Sequence, residues 1–244
     1  MTKVAPITSH VSPWLAPLLY ALGRYIIFPL YFRRLEVIGQ ENLPTTGPVI
    51  LAPTHRAWWD SVLVAYATGR LATGRDLRFM VSINEINKGI QGWFIRRLGG
   101  FPVDPERPAI APLRYGVELL KQGEMLVIFP EGGYFRDGFL HPLKPGLARI
   151  AFSAESSHPE LGIKVVPIAI HYSQAFPRWG CDVSVRIGSP LQVADYNTGS
   201  SVKQNAKQLT TTLETALKQL SGQQLVTGEM PMASTQRSEL KIPS

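Results

Sequence analysis

A chain of 244 residues that is 45% hydrophobic can bury a sizeable core, and its length suits one large α/β domain better than a string of small ones. The net charge of +7 arises with only 18% charged residues, so basicity here reflects scarce acids and points to an anionic surface or substrate. The lone cysteine, Cys181, excludes a disulfide framework and a multi-cysteine metal site and fits a reducing compartment, while Lys and Arg form no basic block or nucleic-acid motif, which argues against a nucleic-acid partner.

Residues 1–34 carry no Asp or Glu, while Lys3, Arg24, Arg33 and Arg34 are basic and Trp14 to Phe32 is almost wholly apolar or aromatic. A secretory signal does not fit: the apolar run is long for one, it contains Arg24, and no small-residue cleavage pattern follows. For a transmembrane helix the run is borderline, with Pro17 and Pro29 near its ends and a charge at its centre. An amphipathic segment lying in the membrane interface fits better. Trp14, Tyr20, Tyr25, Tyr31 and Phe32 suit the headgroup boundary, and the arginines suit anionic lipid phosphates. The alternative is a helix packed on the domain's own core.

Beyond this segment, short apolar runs alternate with helical patterns, which predicts an α/β fold with a mostly parallel sheet flanked by helices. The expected strands are Val49–Pro53, Leu77–Ile83, Phe101–Asp104, Met125–Phe129, Lys164–His171 and Asp182–Ile187. The expected helices are Asp60–Thr68, Asn84–Leu98, Pro108–Lys121, Gly146–Ser156 and Val202–Leu220. The organisation read from this is a membrane-associating segment at 1–34, one domain at 35–221 and a mobile Gln- and Ser-rich tail at 222–244.

The segment from Val49 to Asp60 carries chemistry. A buried strand ends at Pro53, and His55 follows in a turn at the carboxyl edge of the sheet, where open α/β folds place ligands. Imidazole titrates near neutral pH, and a carboxylate on its second nitrogen fixes the tautomer and stabilises the imidazolium. Asp60 is the candidate carboxylate. Five residues apart on a regular helix the two side chains would point about 140° apart, so the pairing requires His55 to stand in the turn. A histidine that merely precedes a helix, with Asp60 favouring its dipole, is an equal reading of these residues taken alone.

A second strand, Met125 to Phe129, opens onto Pro130-Glu131-Gly132-Gly133 at the same edge. Glycine there allows close backbone approach to a ligand, and Arg136, His141 and Lys144 are near enough in sequence to meet a phosphate. Taken alone, this segment is better accounted for by an ordinary strand-to-loop connection with solvated charges.

Together the segments resemble the lysophospholipid acyltransferase family. Its first motif, His-x4-Asp, is matched by His55-Arg56-Ala57-Trp58-Trp59-Asp60, and its Phe-Pro-Glu-Gly motif by Phe129-Pro130-Glu131-Gly132. A proline-containing apolar strand comes last, matched by Val165-Val166-Pro167-Ile168-Ala169-Ile170, and Lys144-Pro145-Gly146 is similar to the family's Lys-x-Gly step into a helix. The resemblance covers roughly residues 35–190. It implies His55 as general base, Asp60 as its partner, and Glu131 with Gly132 in acceptor binding. It further implies transfer of an acyl group from a thioester of coenzyme A or acyl carrier protein to a lysophospholipid hydroxyl. The foremost acceptor is 1-acylglycerol-3-phosphate, at the cytoplasmic face of a membrane. No metal or cofactor is implied, the donor being itself a substrate. Another lysolipid, another hydroxylated lipid, a lipid hydrolase and a non-catalytic lipid-binding protein are the alternatives.

Two departures bear on the acceptor. The family's second motif commonly ends in an arginine associated with phosphate, whereas Phe101-Pro102-Val103-Asp104 is followed by Pro105, leaving Arg107 as the nearest replacement. Its third motif usually continues Thr-Arg-Ser, whereas here Gly133-Tyr134-Phe135 intervene before Arg136. Arg107, Arg136 and Lys144 are therefore the candidate phosphate ligands. Direct transfer is expected, since no Gly-x-Ser-x-Gly elbow supplies a serine nucleophile and Cys181 lies far from the motifs.

Overall fold

The computed structural model describes residues 7–104, 109–158 and 160–222. Its N-terminal segment wraps the end of an edge strand before the sheet begins: Val11 bridges Leu98, and the Gly99 N–H donates to the His10 carbonyl at 3.0 Å. Helix α1 (Leu15–Leu22) follows, then one π-helical turn over Gly23–Ile27 and the short α2 (Phe28–Tyr31). This segment has two faces. Leu15, Ala16, Phe28 and Phe32 are buried, whereas Trp14, Leu18, Tyr25, Ile26 and Leu30 are exposed. Among the described residues no helix is long and apolar enough to cross a membrane.

The sheet has eight strands: β1 (Arg34–Ile38), β2 (Val49–Pro53), β3 (Leu77–Ser82), β4 (Gly100–Val103), β5 (Met125–Val127), β6 (Lys164–Tyr172), β7 (Asp182–Ile187) and β8 (Leu191–Gln192). Their order is β1-β7-β6-β2-β5-β3-β4, with β8 paired to β6. Strands β2 to β6 run parallel, β7 runs against β6, and β1 accompanies β7. The expected mostly parallel sheet is thus the one that forms. Strand β2 is buried at all five positions because both faces of its sheet are covered, which explains a continuous apolar run where a half-exposed strand would alternate.

One helical layer contains α3 (Trp59–Thr68), which packs with Phe28 and Phe32 over β2, β6 and β7. The opposite layer contains α7 (Ile110–Lys121), α8 (Gly146–Ser157) and α9 (Val202–Leu220), which bury Leu120, Ile150, Leu209 and Leu213. Between β2 and β4 lie also α4 (Arg70–Thr73), α5 (Ile83–Ile86) and α6 (Gly89–Arg97). The crossovers from β2 to β3 and from β3 to β4 advance in the same direction, so right-handed connections put α6 in the layer of α3.

Three expected elements keep their bounds to the residue: Val49–Pro53, Asp182–Ile187 and Val202–Leu220. The single helix expected over Asn84–Leu98 is instead broken into α5 and α6. Gly89 has φ +24°, and Gly92 lies so close to α5 that a Cβ on it would stand 1.9 Å from the Ile86 carbonyl oxygen. The strand expected to reach Phe129 ends at Val127, after one further ladder bond from the Ile128 N–H to the Leu51 carbonyl.

Candidate active site

Strand β2 delivers His55 through a rigid exit. The Thr54 N–H donates to the Ile168 carbonyl at 2.9 Å, and the Thr54 hydroxyl oxygen accepts from the Ile170 N–H at 3.0 Å, so both sides of the turn are tied to β6. Helix α3 starts only at Trp59, which leaves His55 in the turn and Asp60 in the first helical turn. The pairing requirement is therefore met: His55 Nδ1 and Asp60 Oδ2 lie 2.9 Å apart.

Asp60 is fully buried, and its carboxylate organises the whole turn. Its Oδ2 accepts also from the backbone N–H groups of Arg56 and Ala57, while Oδ1 accepts from the Tyr172 hydroxyl at 2.6 Å. With a carboxylate acceptor on Nδ1, the imidazole carries its proton there and keeps the lone pair on Nε2. The ring stacks on Phe129 with centroids 3.9 Å apart and meets the edge of Tyr134 at 5.6 Å. These contacts restrict its rotation. Burial, then the neighbouring Asp60 carboxylate, push the Tyr172 hydroxyl far above its ordinary pKa, so Tyr172 remains a donor throughout the working pH range.

Glu131 sits in the turn after the second buried strand, with a side chain closed off from solvent. Its Oε1 accepts from the His55 N–H at 2.9 Å, both oxygens receive Arg56 Nη1 at 3.0 and 3.1 Å, and Oε2 accepts from the His141 N–H at 2.9 Å. The resemblance assigns Glu131 to acceptor binding. In this geometry its oxygens are spent on the protein, and it acts by holding the His55 loop to the loop that follows β5.

That second loop folds back over the first. The Phe135 N–H donates to the His55 carbonyl at 3.0 Å, and the Lys144 N–H donates to the Pro130 carbonyl at 2.8 Å. Gly132 has φ +71°, and a Cβ there would fall 2.6 Å from the Lys144 stem, so glycine lets this side chain cross the backbone. Arg136 is exposed, its guanidinium 5.6 Å from the Tyr134 ring centroid and 5.1 Å from that of Phe176. Tyr134 itself touches His55, so Arg136 stands one aromatic ring from the imidazole. Its neighbour His141 stacks on Phe135 and pairs with Asp137 at 2.8 Å. Arg107 and the tail from residue 223 onward lie outside the described residues.

The model of the family described as Acyltransferase matches residues 34–171, more than half of the chain. The chain belongs to the Acyltransferase family. That span holds every motif residue brought together here, from His55 to Tyr134, and reaches the strand that carries Tyr172. A 1-acyl-sn-glycerol-3-phosphate acyltransferase of Streptococcus pneumoniae is 29% identical over 151 residues, 60% of this chain and 51% of that protein. One from Bacillus subtilis is 31% identical over 116 residues, 48% of this chain and 55% of that protein. The chain thus spans about half the length of the curated relatives it matches. Among solved structures, the 1-acyl-sn-glycerophosphate acyltransferase PlsC of Thermotoga maritima shares the fold, with a TM-score of 0.62 and 20% identity over 86% of this chain and 80% of that one.

Sequence reasoning missed Tyr172 as a partner of Asp60, Arg56 as a partner of Glu131 and Phe129 as the ring stacked on His55. Arg56 occupies a variable position within His-x4-Asp, and Tyr172 comes immediately after the expected strand Lys164–His171. Neither carries a local signal. Cys181 is buried in the core immediately before β7, where it packs as a small hydrophobe.

Proposed function

We propose that the chain transfers a fatty acyl group from a thioester of coenzyme A or acyl carrier protein to the hydroxyl of a lysophospholipid, 1-acylglycerol-3-phosphate foremost, giving phosphatidic acid. The observation that carries this reading is the His55–Asp60 pair at the carboxyl edge of the sheet, in which Asp60 engages Nδ1 and leaves Nε2 to act as the base. The acceptor hydroxyl gives its proton to Nε2 as its oxygen attacks the thioester carbonyl. The carbon–sulfur bond then breaks, and the imidazolium returns the proton to the departing thiolate. Asp60 stabilises the imidazolium between these steps. The names of the relatives from Streptococcus pneumoniae and Bacillus subtilis favour this acceptor.

Arg136 and Lys144 are the phosphate ligands in this reading, both exposed and both on the loop that covers the His55 turn. The exposed face of residues 14–30 rests in the cytoplasmic interface of a membrane, interfacial and not spanning. Beside it, Arg24 and Arg33 line a shallow cleft with Phe28 and Tyr66, which suits lipid phosphate over apolar surface. The test is incubation with labelled acyl donor and a panel of lysophosphatidic acid, other lysolipids and glycerol 3-phosphate, followed by product identification. Labelled phosphatidic acid is expected. Free fatty acid formed without any acceptor would replace the transferase reading with a hydrolase.

A further inference from the structure

Large apolar side chains are unevenly distributed over the surface. In the layer of α7, α8 and α9 the exposed ones are Ile110 and Val202, each in the first turn of its helix. The other layer exposes the α1–α2 face, and α6 adds Ile90, at 80% exposure, and Trp93. An apolar residue standing that far out contributes nothing to its own core, and several of them on one face mark an interaction surface.

The orientation of α6 is fixed by Gly92, which is buried against the Ile86 carbonyl. Ile90, Trp93 and Arg97, at i, i+3 and i+7, therefore form one outward stripe on the opposite side. Arg97 lies over the Trp93 ring at 4.5 Å, and the exposed Arg96 stands beside it. With Thr8 and His10 these three side chains line an open cleft to which no acid among the described residues contributes, and α6 contains no acid at all. The Ser12 N–H donates to the Arg97 carbonyl at 2.8 Å, which pins the start of α1 to the end of α6. That bond places the arginine end of the cleft two residues of chain from Trp14, where the exposed apolar face begins.

We propose that the α6 stripe and its cleft form a second docking surface for an anionic lipid bilayer, adjoining residues 14–30 but made of different residues. Ile90 and Trp93 lie in the headgroup boundary, and Arg96 and Arg97 meet lipid phosphates. Charge complementarity and continuity with the α1 face select a bilayer over an acidic protein. The inference rests on the membrane association proposed above. It adds a second attachment along α6, whose last turn leads into the amino end of β4, so that the domain cannot swivel about its N-terminal segment.

The test uses the full chain with vesicles of phosphatidylcholine alone or mixed with phosphatidylglycerol. At about 1 kcal/mol for each arginine near an anionic surface, Arg96→Gln combined with Arg97→Gln should weaken partitioning onto the mixed vesicles by roughly 30-fold. Partitioning onto phosphatidylcholine alone, and turnover of a short-chain soluble acceptor, should stay unchanged. A solvatochromic dye on Ile90→Cys should shift to the blue on the mixed vesicles, Cys181 being buried and out of its reach. If the intact protein binds vesicles but neither the arginine pair nor the dye responds, the α6 surface is refuted and the N-terminal reading stands. If the intact protein binds neither vesicle, both fall. Unchanged vesicle binding with a raised KM for acyl carrier protein thioesters would give α6 to an acidic protein and overturn the proposal.

Discussion

Tyr172 donates its hydroxyl proton to the Asp60 oxygen that His55 leaves free, at 2.6 Å, so the imidazole, carboxylate and phenol form one hydrogen-bonded chain. The link joins β6 to the first turn of α3 across 112 residues of sequence. Tyr172→Phe removes the donor and little volume. The Asp60 carboxylate then loses the donor on its second oxygen and holds the imidazole less firmly. Transfer should fall in kcat, with acceptor KM little changed. Lower thermal stability with kcat intact would make the phenol merely structural.

The same residue has a consequence at alkaline pH. Its hydroxyl is held above the ordinary value of 10, and burial also pushes Tyr20 up to about 12. Groups whose native pKa is raised bind more protons when folded, so their stabilisation is complete below pH 10 and is lost as pH rises toward the native pKa. Chemical denaturation across pH 9 to 12 should show stability falling with pH. Tyr172→Phe should reduce that slope by up to one proton.

His55→Ala should lower transfer by about 10² to 10⁴-fold, the usual contribution of a general base, with an unchanged thermal melt. Asp60→Asn is less clean. Three of the donors around Asp60 would meet an amide with one acceptor, and a buried polar group left unsatisfied costs about 1–3 kcal/mol. Both melting and turnover should fall. A folded His55→Ala protein that retains near-normal transfer rules out the base.

Glu131→Gln separates support from substrate contact. Breaking a buried ion pair by removing one charge costs about 3–5 kcal/mol, because Arg56 would be left uncompensated. A supporting role predicts a lower melting temperature and reduced kcat with acceptor KM near normal. A selective rise in acceptor KM without loss of stability would show that Glu131 touches the acceptor.

Much of this architecture was legible because burial and periodicity leave marks in sequence. Strand β2 reads as an unbroken apolar run, β7 alternates across its sheet, and α9 repeats leucine at helical spacing. Strand β1 was not read. Arg34-Leu35-Glu36-Val37-Ile38 forms an edge strand whose alternating exposure includes an exposed Ile38, and its basic start blends into the preceding segment. The apolar residues of 14–32 show why composition alone is ambiguous: Phe28 and Phe32 enter the core while Tyr25 and Leu30 face outward, and nothing local distinguishes them. His55, Asp60 and Glu131 were visible as a motif. Their meeting with Tyr172 depends on β6 lying beside β2, which no local pattern encodes.

The acceptor phosphate gives the remaining prediction. Pro105 stands where the family commonly has an arginine, and proline has neither a side-chain donor nor a backbone N–H, so another cation must serve. Arg136 is the described candidate nearest the imidazole by contact, through Tyr134, with Phe176 as its other aromatic neighbour. The guanidinium lies beside two aromatic rings, and its planar fork suits a bidentate grip on a phosphate monoester. Charge-assisted hydrogen bonds contribute roughly 1.5–3 kcal/mol, so Arg136→Ala should lower kcat/KM for lysophosphatidic acid by about 10 to 100-fold. Use of the acyl donor should be spared, and an uncharged hydroxylated lipid should lose little. Arg136→Lys should recover part of the loss, since a point charge replaces the charge but not the fork. Measured beside it, Arg107→Ala and Lys144→Ala show whether the phosphate is shared among several cations. If no one of the three substitutions distinguishes the charged acceptor from the uncharged one, none of these side chains reads the phosphate, and a phosphate-bearing acceptor loses its support in this site.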